Sequence, residues 1–191
     1  MNFKEQQIAD YNRYYKEACE MQEGLIIVDV YVPKRLNIFQ KSRAYKAISL
    51  FEKALEIYPE SFQCLFFIGK LYQRLREYEK SLKYIEASMM YEQENHNLPQ
   101  EASIVAMNLG QIDKAIEYSQ ESLRRMPDNI ALMGNHSMNL LIAGRDEEAL
   151  KTIEQALSID PGDKINQYIK SKIIGVISGK EVRPTPENAL M

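Results

Sequence analysis

Histidine and cysteine are scarce in this chain, and none of its apolar stretches is long. Of 191 residues, two are histidine and two are cysteine. His96 and His136 stand far from Cys19 and Cys64, so the spacing of a metal-ligand set is missing, and no metal or cofactor is expected. The cysteines have no CxxC between them; a disulfide is one reading, and two free thiols in a reducing cytosol are the expected one. The longest apolar run, Leu25–Val32, is interrupted by Asp29 and is far too short to span a bilayer. The opening residues MNFKEQQIADYNRYYKEACE contain no apolar core of a signal peptide, so the expected location is cytoplasmic. A basic excess is lacking too: the formal net charge is −3, and nucleic acid would need clustered Lys and Arg. No P-loop, nucleophile elbow or dinucleotide fingerprint occurs. Asp146-Glu147-Glu148 and the pair Glu52/Glu56 read as solvated helix faces, and an enzyme is not expected.

What the chain does have is a folded composition and a period. With 45% hydrophobic and 27% charged residues it reads as a soluble globular chain. Ala47, Ser81, Ala115 and Ala149 follow one another at steps of 34, as do Ala54, Ser88, Ser122 and Ala156. Ile48, Leu82, Ile116 and Leu150 keep the same step, and Pro59, Pro127 and Pro161 share one phase, with Gln93 in the missing slot. A fixed period of this size marks stacked helical units, none of which buries its apolar face alone.

Read in order, residues 3–22 place Ile8, Tyr11, Tyr15, Ala18 and Cys19 at helical spacing, and Gly24 suits the stop. Leu25–Val32 is β-branched and favours an extended strand-like path, whereas the 34-residue phase puts a first helix across 28–41. A helix starting at Pro33 reconciles the two. The stretch is expected to be a connector packed on the first repeat, with an arm that pairs with another chain or fills the groove as the alternative. Ser61 is a good N-cap for the next helix, and Asn97 with Pro99 opens the one after it. Gly110 and Gly144 mark turns. Across 164–178, Ile165, Tyr168, Ile169, Ile173, Val176 and Ile177 form an apolar stripe suited to capping the last repeat. The domain plan is therefore 1–42 as an N-terminal helix with an irregular connector or degenerate first helix, 43–163 as the repeats, 164–178 as the cap, and 179–191 as a flexible tail.

The unit resembles the tetratricopeptide repeat, a 34-residue helix–turn–helix. The copy Leu65-x₂-Ile68-Gly69-x₂-Tyr72…Ser81-x₃-Ile85 carries the pattern best, supported by Ala47-x₃-Phe51…Pro59, Ala115-x₃-Ser119…Pro127 and Ala149-x₃-Ile153…Pro161. The resemblance implies an all-α, right-handed α-solenoid of about four units, with an N-terminal helix and a C-terminal capping helix. Small residues such as Gly69 and Ser81 allow close helix approach. Pro99 and Ala106 replace bulky residues in the third unit, whose first helix is expected to be thin or loosely packed.

In that family the first helix of each unit lines the concave face, which implies a protein-interaction scaffold binding a peptide or partner helix. The alternative is a dedicated chaperone for a secreted or assembly-prone client, with a possible homodimer through the N-terminal region. Neither nucleic acid nor a membrane span is expected. The groove candidates are Gln63, Phe66, Phe67, Lys70 and Arg74; Glu101, Ile104, Met107 and Asn108; and Asn135, Met138, Leu141 and Ile142. The carboxylate clamp of one subfamily would fall on Phe67, Asn97, Glu101, Ala131 and Asn135, which lack the two cations it needs. His136 occupies an aliphatic slot and is expected to be a buried neutral imidazole bonded to a neighbour.

Overall fold

The computed structural model describes residues 3–26 and 35–189. Among these the chain is all-α, with no strand. It divides into two compact units, residues 1–93 and 94–191.

The first unit holds α1 (Phe3–Gln22), α2 (Ile38–Ile57), α3 (Phe62–Leu75) and α4 (Tyr78–Tyr91). Its two hairpins are α1 with α2 and α3 with α4, and α3 also packs on α2. The partner of α2 is thus α1, not a helix across 28–41. Fifteen residues separate α1 from α2, where later connections within the repeats use two to five, and that insertion carries α1 out of the 34-residue phase. The strand-like path and the Pro33 start concern residues 27–34, which lie outside the described residues. α2 begins at Ile38 because Asn37 and Gln40 form a reciprocal capping box, with bonds of 2.9 and 3.0 Å. Ser61 caps α3 as expected, accepting from the Cys64 N–H. The core gathers Ala18, Leu25, Ala47, Phe51, Ala54, Ile68 and Leu71.

The second unit holds α5 (Asn97–Asn108), α6 (Ile112–Arg125), α7 (Ile130–Ile142), α8 (Asp146–Ile159), α9 (Lys164–Ile177) and the one-turn α10 (Pro186–Ala189). α5 pairs with α6 and α7 with α8, while α9 lies on α8 and α7. Helix α5 is short but not loosely packed. Residues 98–103 and 105–107 are all buried, and the Ser103 hydroxyl donates to the Ala115 carbonyl at 2.7 Å. Small side chains here admit close neighbours and leave no slack.

The second helices end at Ile57, Tyr91, Arg125 and Ile159, each 34 residues after the last, in phase with the three prolines and Gln93. Both small-residue sets, Ala47/Ser81/Ala115/Ala149 and Ala54/Ser88/Ser122/Ala156, have zero exposure. The turns α3–α4, α5–α6 and α7–α8 are closed by left-handed residues in one phase: Arg76 (φ 65°), Gly110 (φ 69°) and Gly144 (φ 80°). The next N–H then returns to a carbonyl of the helix just finished, Glu77 to Tyr72, Gln111 to Ala106 and Arg145 to Leu140, each at 2.9 Å.

Two expectations for the C-terminal part need correction. Helix α9 buries Asn166, Ile169, Ile173 and Gly175, with Val176 half-buried, while Ile165, Tyr168 and Ile177 of the expected stripe remain exposed. By the same register, the face that would meet a further second helix presents Gln167, Lys170 and Ser171 together with Ile174, which is 46% exposed. The stretch after α9 is also not a free tail: Arg183 bonds to Asp146 and Leu141, and Pro184 is buried.

Candidate functional site

The groove candidates lie on α3, α5 and α7, each the first helix of its hairpin. In the first unit Gln63 is exposed and Phe66 half-buried on α3. Phe67 belongs instead to an aromatic cluster, its ring 5.6 Å from Phe51, 6.4 Å from Tyr15 and 5.9 Å from Phe66. Lys70 is buried. Arg74 donates from Nε to the Leu25 carbonyl at 2.6 Å, and burial, then the charge of Arg76, lower its pKa. Leu25 is itself buried, and Ile26 lines an open depression with Lys16, Cys19, Gln22 and Phe67. The start of the Leu25–Val32 arm therefore already lies on this face. Tyr11 on α1 meets the Ser61 hydroxyl at 2.8 Å, and burial pushes its phenol up.

In the second unit the expectations divide again. Glu101, Met107, Leu141 and Ile142 are buried and form no free surface, because α5 and α7 are narrow helices enclosed by their neighbours. Ile104 and Asn108 are half-buried, with the Asn108 amide donating to the Ile104 carbonyl at 2.8 Å. Asn135 is exposed and Met138 half-buried. Two residues on α9 join this set. Ile165 and Tyr168 stand three steps of 34 beyond Gln63 and Phe66, and they are 69% and 63% exposed. The Lys172 ammonium lies 5.9 Å from the Tyr168 ring centre. The same register arithmetic could have found them in the sequence, but the stripe on α9 disguised them as buried cap residues.

His136 bonds to a neighbour as expected, but it is half-buried and not enclosed. Its Nδ1 lies 2.7 Å from the Ser119 hydroxyl, which itself donates to the Ile116 carbonyl at 3.0 Å. A hydroxyl has one proton, so Nδ1 carries the hydrogen in this bond. Both cysteines are free, with Cys64 buried, and burial raises both thiols. Among the described residues no three His, Cys, Asp or Glu side chains cluster as metal ligands, and no helix is long and apolar enough to cross a membrane.

A family model described as Tetratricopeptide repeat matches residues 62–95 and 131–163, which span α3–α4 and α7–α8. The chain carries tetratricopeptide repeats. Solved structures of these repeats are similar to it. One is YrrB, described as a TPR protein with an unusual peptide-binding site, at 20% identity and TM-score 0.63, covering 73% of this chain and 72% of that one. MamA gives TM-score 0.67 at 12% identity, covering 90% of each chain. The first tetratricopeptide repeat domain of Spaghetti, bound to the HSP90 peptide SRMEEVD, gives 0.57 at 16% identity, covering 62% of this chain and 94% of that one. At such identities the likeness concerns the fold. No curated protein matches the chain in sequence.

Proposed function

We propose that this protein is an interaction scaffold whose first-helix faces bind a peptide or a partner helix. The observation that carries the reading is the exposure of Ile165 and Tyr168 at groove register, the most exposed apolar side chains of a helix that buries Ile169 and Ile173 and leaves Ile174 and Ile177 less exposed than either. Exposed apolar groups rimmed by polar ones mark interaction surfaces, and Met138 adds an adaptable contact. The peptide sites named for YrrB and Spaghetti support the same use of this fold. The ligand chemistry differs from a carboxylate-terminated tail. Glu101 is buried where a cation would be wanted, and Ala131 and Asn135 offer no charge to replace it.

Photo-cross-linking tests the reading. A benzophenone side chain at Asn135 should trap a partner in the native source, and the same group at exposed Lys151 on α8 should not. Equal trapping at both positions, or trapping at Lys151 alone, would remove the first-helix face as the binding surface.

A further inference from the structure

The chain doubles back after α9. Gly179 takes φ 70°, and the Lys180 and Glu181 N–H groups both bond to the Gly175 carbonyl, at 2.9 and 3.1 Å. The segment then reaches the far end of α7. Arg183 Nη1 donates to the Leu141 carbonyl and to Asp146 Oδ1, each at 2.5 Å, and Nη2 donates to Asp146 Oδ2 at 2.8 Å. Pro184 is buried, and α10 rests on α5 and α7, both first helices.

Receptor and segment are chemically matched. The Leu141 carbonyl sits in the last turn of α7, where the helix dipole leaves negative charge, and the Asp146 carboxylate stands beside it. A planar guanidinium satisfies both at once, as an ammonium would not. Proline after Arg183 holds that residue extended, and Pro186 follows two positions later, so the segment is stiff and costs little entropy to seat. The hold is nevertheless shallow. Arg183 and Asp146 keep 37% and 26% of their side-chain surface exposed, Val182 is 89% exposed, and a half-exposed ion pair is weak.

We propose that residues 180–187 are a tethered occupant of this face, and that Asp146 with the Leu141 carbonyl receives an arginine-proline segment of a partner once the tail is displaced. This rests on the reading of the first-helix face as a binding surface. The tether gives the tail a high effective concentration, so the intact chain blocks itself.

A labelled synthetic peptide of residues 179–191, titrated into full-length protein by fluorescence anisotropy, tests this. Arg183→Ala in the protein should free the face and tighten peptide binding at least ten-fold over the unaltered chain. Adding Asp146→Asn to that protein, or placing the Arg183→Ala change in the peptide, should abolish the gain. Circular dichroism accompanies each titration. If the Arg183→Ala protein keeps its helicity and binds the peptide no better, the tail is a fixed part of the fold and the proposal is overturned. Loss of helicity in that variant overturns it equally. Trapping at Asn135 is read separately, so failure here leaves the scaffold reading to its own test.

Discussion

Gly69 of α3 and Ile85 of α4 approach so closely that a Cβ on Gly69 would stand 2.6 Å from Ile85 Cγ1 and 3.2 Å from the Ile85 amide nitrogen. Backbone cannot yield as a side-chain tip can, so any larger residue must push the two helices apart. Gly69→Ala should cost ~1–3 kcal/mol, against about 0.5 kcal/mol or less for Lys83→Ala on the exposed side of α4. Urea denaturation reads both, and equal midpoints would contradict the close contact.

Ser81 fills the slot that Ala47, Ala115 and Ala149 fill in the other repeats, and its buried hydroxyl has no hydrogen-bond partner. Burying an unsatisfied hydroxyl costs about 1–3 kcal/mol, while alanine keeps the small volume. Ser81→Ala should raise stability by roughly 1 kcal/mol on that basis. A lower melting temperature for the variant would show that the hydroxyl is satisfied in solution.

Arg76 takes a left-handed conformation at the turn where the later repeats have Gly110 and Gly144. A side chain there costs about 1–2 kcal/mol, offset in part because glycine gains freedom in the unfolded chain. Arg76→Gly should therefore stabilise by several tenths of a kcal/mol to about 1 kcal/mol, and Gly144→Ala should destabilise by a similar amount. Opposite signs in a thermal melt would refute the turn assignment.

His136 links stability to pH. Burial first, then the positive charge of Arg145, hold its pKa below the ordinary histidine value, while Glu148 pulls the other way. The unfolded chain binds the proton first, near pH 6.5, so the stability from neutral His136 is complete above that value. It is lost progressively as pH falls toward the lower folded value. The Glu121 carboxyl, held down to about 2 by Arg124 against the opposing effect of burial, with Arg125 assisting, acts in a separate window from its unfolded value near 4.5 downward. Urea midpoints should fall between pH 7.5 and 5.5, and fall less in His136→Gln. An identical fall in both proteins would show that His136 is not responsible.

The repeats were legible because their register is carried by residues that tolerate little choice. Ala47, Ser81, Ala115 and Ala149 leave no room for larger side chains, and the prolines mark where second helices must stop. The role of α1 was not legible, since the insertion before α2 erases the phase that identifies a first helix. Period places a residue along a helix but does not say what closes over it, and so Lys70, Glu101, Met107 and Leu141 looked available on paper and are buried in the fold. The ion pair of Arg183 with Asp146 joins residues 37 positions apart through no repeat and no local pattern. Sequence alone has no signal for such a contact.

The most direct measurement compares partner affinity after paired charge insertions on the two sides of the second unit. Met138→Glu with Tyr168→Glu alters the first-helix face, whereas Met126→Glu with Ile159→Glu alters exposed positions at the ends of the second helices α6 and α8. With the partner trapped at Asn135 in hand, isothermal titration should show the first pair weakening binding by about 2 kcal/mol or more, as at a hot spot, with helicity unchanged. The second pair should leave the Kd within about two-fold, which is about 0.4 kcal/mol. Weakening by the second pair and not the first would contradict the scaffold reading.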